Sequence, residues 1–217
     1  MRKHLLDRAD TAAFPLAQLF ARPVVVMSYV MAFAVMASGF LIIPNISTFV
    51  QENRGYPRAD VGRLFFLGGI VSFFATRFGG RLVDRFGSFR VGSVGATGFI
   101  ILNALWFVFD ARWISPAAFF MIFMCSMGLR NVAYNTLTSK VPRPVERARF
   151  MSILSAVQHT AAAVGAFLAA ALLSTNADRS LAGMDNVTWV AIGFALAVPP
   201  LLHLVEKSST LSTAHDG

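Results

Sequence analysis

Charged residues are scarce in this sequence. Asp, Glu, Lys and Arg together make up 14% of the 217 residues, whereas hydrophobic residues make up 56% and Phe alone occurs 21 times. Soluble domains usually carry about 25% charged residues, because they must cover their surface with groups that water solvates. The composition therefore excludes an ordinary soluble domain and predicts a protein whose apolar surface faces the lipid bilayer.

Cysteine is nearly absent as well. Cys125 is the only one and lies in an apolar run, which excludes a disulfide framework or a thiolate metal site built from this chain alone. The sequence also lacks a phosphate-binding loop, histidines at metal-ligand spacing and a nucleophile elbow. These absences argue against an enzyme, a metal site and a bound cofactor.

The apolar residues are gathered into six long stretches. A helix needs about 20 residues to cross roughly 30 Å of hydrocarbon, and five uncharged runs reach or approach that length. The remaining stretch requires Arg63 and Arg77 to extend their charged ends to the two interfaces. We predict an all-α polytopic membrane protein with six transmembrane helices between residues 22 and 206. The predicted spans are 23–50, 61–82, 91–109, 113–133, 150–175 and 186–205.

The distribution of charge indicates the orientation of these spans. The net charge is +8, and 14 Lys and Arg lie on the side of both termini against 5 on the other side. Positive residues concentrate on the cytoplasmic side, so we predict a protein of the cytoplasmic (inner) membrane with both termini inside. Trp106, Trp113 and Trp189 are expected toward the outer interface. Since the basic residues form no patch interleaved with aromatics, we do not expect nucleic-acid binding.

The two ends of the chain differ in composition from the spans. Asp7, Arg8 and Asp10 interrupt the apolar core that a signal peptide needs. Residues 1–21 are therefore interpreted as a cytoplasmic leader, either an interfacial helix or a disordered basic segment. Residues 207–217 are rich in Ser and Thr, and we expect a disordered cytoplasmic tail.

Acidic residues are missing from the interior of the spans, and few other polar residues occur there. All 11 Asp and Glu lie outside the spans or at their rims, so the usual carboxylate carrier of a proton is not at mid-membrane. Arg130, next to Asn131 and one turn from Asn135, is either a functional residue or a positive charge that extends to the lipid headgroups. These three residues are candidates for a substrate or proton pathway.

His159 is the ionisable residue predicted deepest in the membrane. A rise of about 1.5 Å per residue from Phe150 places it about 14 Å into the bilayer. Ser152 and Ser155 share its side of the helix, so we expect that side to face protein rather than lipid. The imidazole either relays a proton or binds substrate, or it is a neutral group bonded across helices. Gln158, beside it, and Asn103 are expected to form interhelical hydrogen bonds.

Small residues recur at helical spacing on two spans. Ala161, Gly165 and Ala169 form a face on which another helix can approach closely. Gly92, Gly95 and Gly98 are spaced as in a nucleotide-binding loop, but inside an apolar helix this spacing favours a packing groove.

The second loop carries the most specific motif, Gly-x-x-x-Asp-Arg-x-Gly-x-x-Arg. Its residues are Gly80, Asp84, Arg85, Gly87 and Arg90. Gly87 permits a tight turn, and Asp84 suits a helix N-terminus or nearby arginines. The pattern resembles the signature loop of the major facilitator superfamily, which joins the second and third helices of each six-helix half. Ser88 and Phe89 depart from it, as in the looser copy of a C-terminal half.

The resemblance implies a function that composition alone does not. It suggests one six-helix half of a twelve-helix secondary transporter that moves a small organic solute by alternating access. The signature loop would act as a conformational latch, the first and fourth spans would line a cavity, and the second and fifth would meet a second half. That half would lie elsewhere in a longer protein, on a separate chain or on an identical copy. The alternative is a non-transporting scaffold or a degenerate transporter remnant.

Overall fold

The computed structural model describes residues 16–215, with side chains for residues 18–209. Predictions for residues 1–15 and 216–217 lie outside this part of the chain. A short helix, Leu16–Phe20, precedes six helical segments that are long and apolar enough to cross a membrane. The predicted all-α, six-span fold is confirmed for the described residues. The first to sixth spans are Pro23–Asn53, Arg58–Phe86, Ser88–Val108, Pro116–Lys140, Arg147–Leu172 and Met184–Ser209.

Several spans are built from more than one helical segment. The first is an α-helix, Pro23–Thr48, that continues as a π-helical turn, Phe49–Asn53, and the third is an α-helix, Ser88–Asn103, that continues likewise as Ala104–Val108. In the second span a 3-10 turn, Arg58–Asp60, leads into the α-helix Val61–Phe86. The fourth and fifth spans are single α-helices. The helices therefore continue beyond the uncharged runs, because backbone hydrogen bonding does not stop where charge begins.

Local sequence signals set the helix ends. Pro116 occupies the first turn of the fourth span, where its missing N–H is harmless, and the Ser115 hydroxyl accepts a hydrogen bond from the Ala118 amide at 3.2 Å. Gly87 adopts a φ of +87°, which is strained for other residues, and so ends the second helix and turns the chain into the third. The tight turn predicted at Gly87 is confirmed.

The sixth span is divided in two, and its second part continues into the tail. The helix Met184–Leu196 is followed by Val198–His215. Pro199 and Pro200 lack the N–H groups that would bond to the preceding turn, so the first helix ends and a second begins with the prolines in its first turn. The expectation of disorder after residue 206 is wrong as far as residue 215, because no further helix breaker follows Pro200.

A small hairpin joins the fifth and sixth spans. Strand Ser174–Thr175 pairs antiparallel with strand Leu181–Ala182, with Ser174 opposite Ala182. The fifth helix ends at Leu172, before the predicted limit at residue 175, because the chain becomes extended there. The Asn53 side chain fixes the hairpin to the end of the first span through two hydrogen bonds of 2.9 Å to the Leu181 backbone.

The spans pack in two groups. The fourth packs along the second and third, and the first along the fifth and sixth, while the third also contacts the sixth. The face predicted from small residues on the fifth span is confirmed, since Ala161, Gly165 and Ala169 are buried. A Cβ on Gly165 would lie 2.7 Å from the Ala37 carbonyl oxygen. The second and fifth spans are the least buried, so the bundle leaves them uncovered.

Trp106 lies in the core of the bundle, in the last turn of the third span. It is fully buried, its ring stacks on Phe119 with centroids 3.8 Å apart, and its indole N–H donates to the Ile114 carbonyl at 3.1 Å. The loop after the third span folds back over this ring, which the sequence position did not predict. Trp113 and Trp189 are exposed.

Candidate functional site

Arg130 lies inside the helix bundle. It is fully buried, and its guanidinium donates hydrogen bonds to the Ser38 hydroxyl at 2.9 Å and the Val35 carbonyl at 3.1 Å, both on the first span. The Phe99 ring of the third span lies 4.5 Å from the guanidinium carbon, close enough for a cation–π interaction. The interpretation that Arg130 extends to the lipid headgroups is therefore wrong, because its helix turns it toward the first and third spans.

The buried charge of Arg130 is compensated by uncharged groups. Within residues 18–209, no carboxylate forms an ion pair with Arg130. Burying a charge without a counter-ion costs free energy, and here a hydroxyl, a carbonyl, an aromatic face and the Met127 sulfur, 2.9 Å from Nη2, compensate it. The Nε atom is buried and has no hydrogen-bond partner in the described part. A costly intramembrane cation of this kind is a functional candidate.

Two glycines leave room for Arg130. A Cβ on Gly39 would lie 2.9 Å from the Met127 methyl and 3.5 Å from Nη2 of Arg130. A Cβ on Gly95 would lie 2.8 Å from both the Arg130 amide nitrogen and the Ser126 carbonyl oxygen. The packing groove predicted at Gly92, Gly95 and Gly98 is confirmed, since all three face close neighbours. Close approach of the first and third spans to the fourth thus positions the guanidinium.

A second polar contact links the fourth and fifth spans one turn along. Gln158 donates to the hydroxyl of Tyr134 at 2.9 Å, so the interhelical role predicted for Gln158 is confirmed. Tyr134 is buried and Gln158 is half-buried. Arg130 and Tyr134 therefore connect the fourth span to the first and fifth, which belong to the other packing group.

The asparagines behave differently from one another. Asn103 is buried and donates to the Phe99 carbonyl of its own helix at 2.6 Å, so its predicted interhelical role is wrong. Asn131 is half-buried, and its side-chain oxygen has no partner within the described side chains. Asn135 is exposed. Arg130, Asn131 and Asn135 therefore face different surroundings along one helix.

His159 lies on the surface of the bundle. It is exposed, as are Ser152, Ser155 and Thr160 on the same helix, so it faces no other span among the described residues. The expectation that this side packs against protein is not met by the described residues. We call the four residues, together with the exposed Ala163, the fifth-span stripe. The stripe is short of bulky side chains, unlike the second span, where Phe66 and Phe73 are exposed.

The residues of the signature loop point outward. Asp84, Arg85 and Arg90 are exposed, and a Cβ on Gly80 would meet open space. Within the described residues, Asp84 forms no ion pair and no hydrogen bond, so the proposed bonds from Asp84 to nearby arginines or a helix end are not made inside this chain.

Glu206 occupies the N-terminus of the third helix. Its carboxylate accepts hydrogen bonds from the Ser88 and Phe89 amides at 2.7 and 3.1 Å, at the N-terminus of the third helix. Negative charge stabilises a helix N-terminus because several amides there have no helical partner. A Cβ on Gly87 would lie 2.9 Å from a Glu206 oxygen, so Gly87 also admits this carboxylate.

Arg22 and Glu146 form an ion pair that the sequence did not reveal. Glu146 is fully buried, and the same carboxylate oxygen also accepts from the Arg143 amide at 2.9 Å. Arg22 additionally donates to the Val141 carbonyl at 3.3 Å. The available signal was that Glu146 is the single acidic residue in a strongly basic loop. The pair joins the start of the first span to the loop before the fifth.

Charged residues also join the ends of spans on the opposite side. Arg54 forms an ion pair with Asp110 at 2.9 Å and donates to the Trp106 carbonyl at 2.7 Å. The hydrogen bond from Arg112, 2.8 Å away, together with the charge of Arg54, holds the pKa of Asp110 below its usual value. Burial lowers the pKa of Arg54, which nevertheless stays charged. This network fixes the loops after the first and third spans.

Among the described side chains, no group of three His, Cys, Asp or Glu residues lies close enough to hold a metal ion. Cys125 is a half-buried thiol in the fourth span.

Comparison with known proteins defines the class. The sequence profile of the Major Facilitator Superfamily matches residues 28–210, so the chain belongs to this family and is a multi-pass membrane protein. One relative is the Multidrug resistance protein MdtH of Photorhabdus laumondii subsp. laumondii, 31% identical over 162 residues, which cover 73% of this chain. The chain spans only 38% of the length of that relative. No solved structure matches the chain.

Proposed function

We propose that this chain is one six-helix half of a secondary transporter that moves a small organic solute by alternating access. Family membership supports the transporter class, and the 38% coverage of the relative supports a half. In such proteins two repeats rock against each other around a site near the bilayer midplane. That relative is named a multidrug resistance protein, so drug-like molecules are the first solutes to test.

The fifth-span stripe is the observation that carries the proposal. It places exposed hydroxyls and the imidazole of His159 along a helix at membrane depth. Polar groups that face hydrocarbon without partners are costly, so the stripe would face a second half or a water-filled path. His159 would then bind solute or transfer a proton, and Gln158 and Asn135 would lie at the margins of the same path.

Arg130 would act by coupling spans. Its bonds to Ser38 and Val35 join the fourth span to the first, so a movement of one would be transmitted to the other. Asn131, with a buried oxygen that lacks a partner in the described part, would be the adjacent polar group available to solute.

The signature loop would act as a latch on the second half. Asp84 is exposed with no partner inside the described chain, so its carboxylate is available to a helix N-terminus of that half. Arg85 and Arg90 would support this contact, and Gly80 would permit close approach. The protein would lie in the inner membrane with both termini in the cytoplasm, which the 14 to 5 distribution of basic residues supports.

A flux assay tests the transport proposal. The full chain is reconstituted into vesicles alone and with a separately expressed six-helix half, and uptake of drug-like solutes is measured. We expect His159→Ala to reduce flux strongly and His203→Ala, an exposed histidine that packs on the Phe89 ring, to leave it unchanged. Flux that His159→Ala leaves unaffected contradicts the assigned path. No flux in any combination favours the non-transporting scaffold.

The mass of the particle in mild detergent identifies the second half. A dimer of the 23.6 kDa chain supports a transporter made from two identical copies. A monomer that transports only with another six-helix chain supports a separately encoded or severed half. Asp84→Asn is expected to weaken either assembly or flux while leaving the fold of this half intact, because Asp84 is exposed.

A further inference from the structure

A lateral groove lies beside the signature loop. It has a volume of about 250 Å³ and is formed by the second, third and fourth spans, with lining residues Leu82, Phe86, Arg90, Val91, Val94 and Leu129. Its lining surface is apolar, including the part that Arg90 contributes. The rim is open, since Leu82, Phe86 and Val94 are exposed. The volume exceeds that of a water molecule, about 30 Å³ in the liquid, and suits part of an acyl chain.

Arginines lie beside this groove. Arg90 is exposed and lines the groove through apolar atoms, and the Arg85 guanidinium lies 5.2 Å from the Phe86 ring that forms one wall. Arg81 lies over Phe78 one turn further along the second span. Two acidic groups belong to this region: Asp84, which is exposed, and Glu206, which accepts hydrogen bonds from the Ser88 and Phe89 amides. Arg90 forms no ion pair with any residue in the described part.

We propose that this groove is a binding site for an anionic phospholipid. The combination of an apolar groove with arginines beside it matches a molecule that has an acyl chain and a negatively charged headgroup. One chain would lie along Leu82, Val94 and Leu129, and the phosphate would contact Arg90 with Arg85 beside it. A soluble anion would use the arginines but not the apolar walls, whereas a neutral lipid would use the walls but not the arginines.

The site is independent of the proposed transport function. Asp84 would contact a second half in the latch, and it is not among the residues that line the groove. Asp84→Asn is therefore expected to retain lipid binding. A result that contradicts the latch does not contradict the lipid site.

Native mass spectrometry of the full chain in detergent, titrated with dioleoyl phosphatidylglycerol or dioleoyl phosphatidylethanolamine, tests the proposal. We expect phosphatidylglycerol to bind more tightly, and Arg90→Gln to weaken it about fivefold, as for loss of one basic residue at an anionic lipid. Val94→Trp, at an exposed position that lines the groove, is expected to weaken both lipids by filling it. Arg58→Gln removes an exposed arginine at the opposite membrane face and is expected to change nothing.

Three outcomes overturn the site. Equal binding of the two lipids removes the role of charge, and an equal loss in Arg58→Gln shows general attraction instead of a site. Displacement of phosphatidylglycerol by millimolar inorganic phosphate reveals an anion site without a lipid. Both groove substitutions are at exposed positions, and thermal unfolding of each variant verifies that the fold is retained.

Discussion

The guanidinium of Arg130 on the fourth span donates a hydrogen bond of 2.9 Å to the hydroxyl of Ser38 on the first span. These two spans belong to different packing groups, so this contact joins the two groups at the centre of the bundle. A charge held by neutral partners depends on each of them, because loss of one leaves the cation less compensated.

The coupling between Arg130 and Ser38 is measurable with a double-mutant cycle. We expect the effects of Arg130→Met and Ser38→Ala on the free energy of unfolding to be non-additive, with a coupling energy of about 0.5–2 kcal/mol, the scale found for interhelical hydrogen bonds in membranes. Denaturant unfolding in detergent provides the measurement. Ser93→Ala is the matched control, since that buried hydroxyl has no partner in the described part and its removal should cost little. Additive effects would show that the two side chains do not interact.

Gly165 is expected to be intolerant of any side chain. A Cβ there would lie 2.7 Å from the Ala37 carbonyl oxygen and 3.2 Å from the Leu41 amide nitrogen, so Gly165→Ala must push the first and fifth spans apart. We expect a lower midpoint of thermal unfolding.

Gly193→Ala in the sixth span is the control for Gly165→Ala, because nothing lies within 4 Å of a Cβ at that exposed position. It should be neutral or stabilise by up to about 1 kcal/mol through helix propensity. Equal effects of the two substitutions would contradict close packing at Gly165.

Features that follow from span length, from residue size and from a local motif could be predicted from the sequence. Hydrocarbon thickness fixes the length of a span, so five uncharged runs and one stretch that includes Arg63 and Arg77 located the six helices. The spacing of Ala161, Gly165 and Ala169 predicted a helix contact because only small residues allow such close approach. The resemblance of the second loop to the family signature predicted the family, which the match over residues 28–210 confirms.

Features that depend on helix rotation and distant contacts were not predictable. Position along the fourth span places Arg130 near the end of the apolar run, but the rotation that turns it toward Ser38 arises from packing at Gly39 and Gly95. The hydrogen bond from the Ser88 amide to the Glu206 carboxylate joins residues 118 positions apart. No local pattern in the sequence links residues so far apart, so this cap was not predictable.

The Glu206 carboxylate is expected to protect the start of the third helix. Glu206→Ala removes the acceptor of the Ser88 and Phe89 amides, so hydrogen exchange at these amides should accelerate, in line with a cap worth about 0.5–2 kcal/mol. Exchange measured by mass spectrometry on peptides that cover residues 86–92 provides the test.

Asp84→Asn removes an acidic side chain from the same loop without touching these amides and is the matched control for Glu206→Ala. Faster exchange in this variant, or unchanged exchange in Glu206→Ala, would contradict the assignment of the cap to Glu206.

The Asp110 network predicts an acid-dependent loss of stability. The hydrogen bond from Arg112 and the charge of Arg54 lower the pKa of Asp110 in the folded protein. Because the pKa of Asp110 is lower in the folded protein, its carboxylate stabilises the fold at any pH above its pKa in the unfolded chain, about 3.9. This stabilisation is lost as the pH falls through the lower pKa of the folded protein. Asp110→Asn should therefore lower the thermal midpoint at pH 7, and the difference from the parent should shrink below about pH 4.

Asp110→Asn removes the charge of the side chain without straining the backbone. Asp110 has a φ of +48°, and Asn tolerates this left-handed conformation as well as Asp does. In Arg112→Gln the largest cause of the depressed pKa is removed, so the acid-dependent loss should begin at a higher pH than in the parent. Thermal unfolding in detergent from pH 2.5 to 7 measures both effects. A difference between Asp110→Asn and the parent that stays constant over this range would mean that the carboxylate charge does not stabilise these loops.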